Sequence, residues 1–170
     1  MTRFGYVIVT YVTSLGFSLA ALFSPAPKLI WNASASVPTG LYAVRPADPL
    51  FVTELVVVRP PQALANFLAE RGYLPKGVPL LKRVLALPGQ TVCRIGRTIT
   101  VDGTAMGDAL ERDHAGRLLP VWQDCRRIVA GEVFLMNWQS DDSFDGRYFG
   151  PLPAAAIIGR AEPLWTGEEY

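Results

Sequence analysis

The chain has 170 residues, about the length of one domain, and half of its residues are hydrophobic while 18% are charged. Soluble domains contain about 25% charged residues, so this composition predicts a membrane-associated or unusually apolar protein. A net charge of +1 lacks the basic excess of nucleic-acid-binding domains, and no nucleic-acid partner is expected. One histidine and two cysteines cannot supply the four Cys/His ligands of a usual zinc site. A zinc site of this kind is therefore not expected, and we expect no other metal and no cofactor.

The apolar residues are concentrated near the N-terminus. Residues 4–23 carry no charge, and fourteen of these twenty residues are hydrophobic. Twenty helical residues span roughly 30 Å, which is the thickness of a bilayer core. Arg3 precedes the run and favours a cytoplasmic N-terminus, although Lys28 lies on the other side.

We interpret residues 1–27 as a transmembrane signal anchor and residues 28–170 as a catalytic domain in the periplasm. The protein would then cross the inner (cytoplasmic) membrane once and contact membrane lipid through the anchor. Two alternatives remain open. The segment 18–20 has the small-x-small pattern of a signal-peptide cleavage site, and the apolar run could instead form a buried core helix.

Two cysteines, Cys93 and Cys125, lie 32 positions apart. Disulfides persist in oxidising compartments, so export of the domain favours a bridge between them. A loop of this length would contribute about 3–4 kcal/mol in the chain-entropy model. The alternative is a pair of buried free thiols.

After the apolar run, the sequence is typical of a mainly β domain. Short apolar stretches bounded by Pro, Gly or Asp predict strands. These stretches are 55–58, 80–87, 98–101 and 132–136. One helix is predicted at 61–71, with Pro61 in its first turn and Gly72 as its C-cap.

The segment 102–117 is expected to be an exposed loop because it is polar, and it begins with a tight turn predicted at Asp102 and Gly103. His114 lies in this segment. We expect it to be a solvated loop histidine.

Two polar segments are candidates for chemistry. In the first, 32–42, Ser34 and Ser36 precede a turn fixed by Pro38 and Gly40, which alone is ordinary loop composition. The second, 140–151, contains three aspartates but lacks the spaced ligands and the bidentate Glu of a calcium loop.

A third segment, 80–89, places Lys82 in an apolar strand. Strand alternation puts Lys82 on the same face as Leu80, Val84 and Ala86. Burial among aliphatic side chains lowers the pKa of an amine, which is how a lysine becomes a general base near neutral pH. The alternative is a surface lysine whose stem covers apolar area.

In this order and spacing, the three segments resemble the type I signal peptidase superfamily of Ser-Lys proteases, and within it the TraF-type peptidases of conjugative transfer. The segment 36–42 (SVPTGLY) is similar to that subfamily's nucleophile box, S-x-P-x-G-L-Y. General signal peptidases have S-M-x-P, and Val37 departs from that form. The lysine box is matched by 82–84 with Pro88 and Gly89. The final box is matched by 143–151, with Gly146 where Ser is usual.

The resemblance implies a serine-type endopeptidase with a Ser-Lys dyad. Ser36 would be the nucleophile, activated by a neighbouring base. Lys82 would be that base. Ser34 matches the position whose hydroxyl assists the Ser36 N–H in binding the oxyanion.

The final box supplies the residues that support the lysine. Ser143 matches a hydroxyl that orients the Lys82 amine. Asp145 matches an aspartate that we interpret as holding Arg147 in place, since a carboxylate too close to Lys82 would raise its pKa and oppose catalysis.

The fold that the resemblance implies is a membrane-anchored, signal-peptidase-like domain of coiled antiparallel sheets, with one transmembrane helix and one short surface helix. The implied substrate is an exported precursor, a conjugative pilin for the TraF type, bound as an extra strand. Release by water gives a linear product, and release by the pilin's own amine gives a cyclic one. Two alternatives stay open: a general type I signal peptidase, and a non-catalytic assembly protein with the same fold.

Overall fold

The computed structural model describes residues 2–22 and 27–167. Three α-helices lie in these ranges: α1 (Arg3–Leu22), α2 (Gln62–Glu70) and α3 (Gly146–Phe149). The strands of the same ranges are β1 (Leu29–Asn32), β2 (Gly40–Arg45), β3 (Leu55–Val58), β4 (Leu80–Ala86), β5 (Thr91–Ile95), β6 (Thr98–Val101), β7 (Thr104–Asp108), β8 (Asp124–Arg127), β9 (Glu132–Leu135), β10 (Leu152–Pro153) and β11 (Ile157–Thr166).

The strands form two antiparallel sheets. The larger has seven strands in the order β1-β2-β11-β3-β4-β9-β10, and the smaller has four in the order β7-β6-β5-β8. Register shifts in β11 and between β4 and β9 bend the larger sheet, as bulges do. The expected mainly β fold of curled antiparallel sheets is confirmed.

Strand β4 connects the two halves of the core. Val84 belongs to an apolar cluster with β3 and β9. Leu85 and Ala86, further along the same strand, pack with residues of β5, β6 and β9. Because β4 is buried on both of its faces, its position is fixed from both sides.

Helix α2 confirms the predicted helix and is shorter than predicted by one residue at each end, with Arg71 and not Gly72 as its C-cap. Pro61 is its N-cap, and Gly72 follows with a φ of 69°, a conformation that favours glycine. The short helix α3 was not predicted. Its four residues are too few to produce a helical hydrophobic period.

Helix α1 confirms the helix expected in the N-terminal run. Over residues 3–18, where its side chains are described, the large apolar ones are exposed; they belong to residues 4, 6–9, 11, 12, 15 and 17. In the part of the chain that the structure describes, no helix is both long and apolar enough to cross a membrane. Residues 23–26, where the expected anchor ends, lie outside the described residues.

The expectation of an exposed loop over 102–117 is wrong for Thr104–Asp108, which form β7. Asp102 and Gly103 both have positive φ, so the predicted tight turn folds the chain back onto β6. The new strand lies at a sheet edge, where polar residues are tolerated. His114 is exposed, as predicted.

The disulfide between Cys93 and Cys125 is present. The two residues are directly opposite each other in β5 and β8. The predicted bridge is confirmed, and the alternative of two free thiols is wrong.

Candidate active site

The candidate nucleophile lies in a loop of residues 33–39 that joins β1 to β2. Ser36 is partly exposed, while its neighbour Val37 is buried in an apolar cluster and anchors the loop. The Ser34 and Ser36 hydroxyl oxygens are 3.4 Å apart. The loop therefore presents two hydroxyls side by side.

The position of Gly40 explains why the S-x-P-x-G-L-Y motif contains a glycine. Its φ is 148°, and a Cβ there would lie 2.1 Å from the Trp165 carbonyl oxygen. Only glycine lets β2 pass this close to β11. The end of the nucleophile loop is therefore held against β11.

Lys82 lies in the middle of β4, opposite Val56 of β3, and is only 4% exposed. Its Nζ donates a hydrogen bond of 2.7 Å to the Ser143 hydroxyl. The alternative of a surface lysine is therefore wrong.

The environment of Lys82 changes its acidity. Burial lowers the pKa of its amine from 10.5 to about 8, with the nearby Asp145 carboxylate opposing this shift and the Arg147 guanidinium adding to it. At pH 7 roughly a tenth of the amines are then neutral. That fraction is large enough for the amine to act as a base.

Asp145 and Arg147 form a fully buried ion pair. Both carboxylate oxygens accept from the guanidinium, at 3.0 Å from Nε and 3.0 Å from Nη2. Asp145 also accepts from the backbone N–H groups of Asn137 and Arg147. Such a bidentate pair has a fixed geometry.

Arg147 connects the ion pair to the loop that ends at Ser143. Its Nη2 donates to the carbonyl oxygens of Asn137, Ser140 and Ser143. The loop that ends at Ser143 is thereby held against the ion pair. The Ser143 hydroxyl is consequently placed at the Lys82 amine.

Asn137 was missed by sequence reasoning. Its side-chain oxygen accepts from the Arg83 N–H at 2.9 Å, and its Nδ2 donates to the Leu81 carbonyl at 3.2 Å. The Asn137 amide therefore bonds the backbone of β4 on both sides of Lys82, as a neighbouring strand would. An asparagine just after a strand gives no sequence signal for such a role.

One cleft of about 1050 Å³ brings the candidate residues together. Ser34, Ser36, Lys82 and Ser143 all line it, whereas Asp145 is buried behind it. Among the described hydrogen bonds, that of the Lys82 amine goes to Ser143 and none joins it to Ser36. The apolar part of the wall is formed by residues including Ile30, Trp31, Leu74, Val78 and Leu81.

His114 and Asp142 also line the cleft. The His114 ring lies 3.5 Å from the Asp142 carboxylate, and both side chains are exposed. Within the described residues, no group of three or more His, Cys, Asp or Glu side chains is placed to hold a metal ion.

A serine hydroxyl and a buried amine in one cleft are the groups of a Ser-Lys hydrolase. The sequence profile described as "Signal peptidase, peptidase S26" matches residues 1–165. The chain belongs to this peptidase family. Membership implies a serine peptidase that acts on a protein.

Two relatives match closely in sequence. A "Plasmid transfer protein TraF" of Escherichia coli is 34% identical, with 98% of this chain and 99% of the relative aligned. A "Probable conjugal transfer protein TraF" of Sinorhizobium fredii is 37% identical, with 79% of this chain and 76% of the relative aligned. The resemblance to TraF-type proteins is confirmed.

A crystal structure of a signal peptidase I from Enterococcus faecalis is also similar. It is 17% identical with a TM-score of 0.41, and 68% of this chain and 98% of that chain are covered.

Proposed function

We propose that this chain is a membrane-anchored endopeptidase with a Ser36–Lys82 dyad that processes a pilin precursor in conjugative transfer. The observation that carries the proposal is the buried Lys82 amine, whose pKa is lowered to about 8, in the same cleft as the Ser36 hydroxyl. A buried lysine without a task would be costly to retain.

In the acylation step, the Ser36 Oγ attacks the carbonyl carbon of the scissile peptide bond, and its proton passes to the neutral Lys82 amine. The tetrahedral intermediate then collapses as the C–N bond breaks. The Lys82 ammonium returns the proton to the leaving amine, which leaves an ester on Ser36. The bond to Ser143 holds the amine during both transfers.

Two donors would stabilise the negative oxygen of the intermediate. The Ser36 backbone N–H is one, and the Ser34 hydroxyl, 3.4 Å from the Ser36 hydroxyl, is the other. A preorganised donor of this kind contributes about 10²–10³ in rate. Asp145 acts through Arg147 and Ser143, as a support for the lysine.

The ester can be resolved in two ways. Attack by water gives a linear product and a free carboxylate. Attack by the product's own N-terminal amine gives a cyclic chain, with the Ser36 hydroxyl as leaving group. The names of the two TraF relatives support conjugative transfer as the setting.

We assign the anchoring to α1 and the catalytic domain to the periplasm. The uncharged run and the exposed apolar side chains of α1 support this placement. An exposed aromatic pair also supports this placement, because Trp side chains are enriched at membrane interfaces. The rings of Trp31 and Trp165 stack at 5.7 Å beside the nucleophile loop.

The test is a donor strain that lacks the native copy of this chain and carries the wild type or Ser36→Ala. We expect pilin to mature only with the wild type, and intact mass separates the products, because a cyclic pilin is lighter than the linear one by one water. Normal pilin maturation with Ser36→Ala would contradict the proposal. Normal pilin but accumulated secretory precursors would favour a general signal peptidase instead.

The anchoring has its own test. Membranes from the same strain are washed with alkaline carbonate, and we expect the full chain to stay in the pellet. Deletion of residues 2–27 should leave the chain in the soluble fraction after synthesis. Release of the full chain by the wash would contradict the anchor.

A further inference from the structure

Asn32 is a buried polar residue that has no role in the reaction proposed above. It ends β1, faces Gly40 of β2 across the sheet, and is only 5% exposed. The nucleophile loop leaves and re-enters the sheet at these two positions. Its side-chain amide therefore lies at the base of the loop.

The amide group of Asn32 binds the loop on both sides of the nucleophile. Its Nδ2 donates to the carbonyl oxygens of Ser34, Val37 and Pro38 at 2.8, 3.0 and 3.0 Å. These three carbonyls flank Ser36. An amide has two N–H groups, so one of them is shared between two acceptors.

The oxygen of the same amide binds Ser34 twice. It accepts from the Ser34 N–H at 3.1 Å and from the Ser34 hydroxyl at 2.8 Å. A hydroxyl has a single proton. In its 3.4 Å contact with Ser36, Ser34 must therefore be the acceptor and Ser36 the donor.

We propose that Asn32 is a positioning residue that holds the nucleophile loop in its reactive shape and fixes the hydroxyl of Ser34. The inference rests on the function proposed for Ser36. Because the Ser34 oxygen is already held in place, only its proton must turn from Asn32 toward the developing oxyanion. Asn32 acts through the two serines, and none of its described hydrogen bonds goes to Lys82.

Purified full-length variants are compared on a fluorogenic peptide that contains the precursor cleavage site. Asn32→Ala should lower kcat about 10²-fold, because a misplacement of about 1 Å at a reacting atom has this effect. KM should change by less than about threefold, because Asn32 lines the cleft but is only 5% exposed and offers a substrate little surface. The pH at which activity reaches half of its maximum should not change, because Lys82 is not contacted.

Two further variants separate positioning from general folding. Asn32→Asp has the same shape and keeps the acceptor for Ser34, but it places an oxygen against three carbonyls, and we expect a loss in kcat of at least tenfold. The pair Asn32→Ala/Ser34→Ala should lose less than the product of the two single losses, because Ser34 depends on Asn32. Asn66→Ala, in α2 and outside the cleft, is the matched control and should retain full activity.

The outcomes are decisive in either direction. Activity within twofold of wild type in Asn32→Asp, losses that multiply in the double variant, or a shifted pH profile would overturn the inference. If Asn32→Ala does not fold in a thermal unfolding assay, Asn32→Asp decides. Ser36→Ala is measured in parallel. If it retains activity, the proposed function fails; if it is inactive while the Asn32 variants are normal, only this inference fails.

Discussion

The burial of Lys82 affects both the stability of the protein and the proposed chemistry. Its amine is buried, and desolvation outweighs the attraction of Asp145, so the net effect is a lowered pKa. The charged form is therefore less favourable in the folded protein than in the unfolded chain, although it still predominates at pH 7. The proposed reaction uses this, because the same burial supplies the neutral amine.

The first prediction concerns pH. The pKa of Lys82 is about 8 in the folded protein and near 10.5 when exposed. Peptidase activity should rise about tenfold per pH unit below pH 7 and level off above about pH 9, as the neutral amine becomes the main form. Initial rates of peptide cleavage from pH 6 to 10 check this. A flat profile would contradict a lysine base.

The lowered pKa of Lys82 also determines how its contribution to stability changes with pH. Between pH 8 and 10.5 the unfolded chain binds more protons at this residue than the folded chain, so the contribution of Lys82 to stability increases with pH there. Below pH 8 the amine is protonated in both states, and the full penalty for burying the charge is present.

The second prediction separates a base from a buried cation. Lys82→Arg should be as inactive as Lys82→Ala, because arginine does not release its proton at accessible pH. Lys82→Met should also be inactive, yet its free energy of unfolding at pH 7 should be higher by about 1–4 kcal/mol, since an apolar chain replaces a buried charge. Cleavage assays and urea denaturation measure the two effects. Substantial cleavage by Lys82→Arg would mean that Lys82 is not the base.

The third prediction concerns Gly146. At this position the final box of the signal peptidase motifs usually has Ser. A Cβ at this position would lie 2.6 Å from the Leu135 carbonyl oxygen and 2.8 Å from the Phe134 ring. Gly146→Ser should therefore destabilise the protein by about 1–3 kcal/mol, and Gly146→Ala by a similar amount, because the Cβ is the cause. Urea denaturation checks both. Wild-type stability in Gly146→Ser would show that the Phe134 ring and the backbone at Leu135 both move aside without cost.

At the scale of elements, strands β5 and β8 are joined by hydrogen bonds and by the bridge between Cys93 and Cys125. The bridge closes a loop with a sequence separation of 32. It lies in the four-stranded sheet, whereas the candidate residues lie on the seven-stranded sheet and its loops.

The fourth prediction follows from this separation. The double variant Cys93→Ser/Cys125→Ser should lose about 3–4 kcal/mol of stability. Its kcat should stay within about twofold of wild type at temperatures where it is folded. Thermal unfolding and peptide cleavage are measured on the same samples, and wild-type protein treated with reductant is the control. A large loss of kcat in folded protein would mean that the bridge supports the cleft.

Some elements follow from local sequence and others do not. Gln62–Glu70 has a helical period and capping residues, and Thr98–Val101 has the apolar strand pattern, so both were predicted. Thr104–Asp108 was missed, because its strand is defined by pairing with β6 and not by hydrophobic residues. Tertiary pairing here outweighs local preference.

At the scale of the whole molecule, the cleft is built from three distant parts of the chain. The middle of β4 and the loop after β9 meet because β4 pairs with β9. The loop before β2 reaches them because its Val37 belongs to the same apolar cluster as Leu81 of β4. The candidate residues could be predicted from their motifs. Asn32 and Asn137 could not, because their bonds depend on how these parts pack.

Ser36 is the nucleophile of the proposed reaction, and the most direct test is the ester that it would form. The enzyme is mixed with precursor peptide, quenched with acid within one turnover and digested for mass spectrometry. We predict that, in the wild type, the peptide containing Ser36 gains the mass of the N-terminal product of the cleavage less one water. Ser140→Ala, which alters another serine of the same cleft, should form the same adduct, and Ser36→Ala should form none. Cleavage by Ser36→Ala at the wild-type rate, or an adduct on a different residue, would contradict the account.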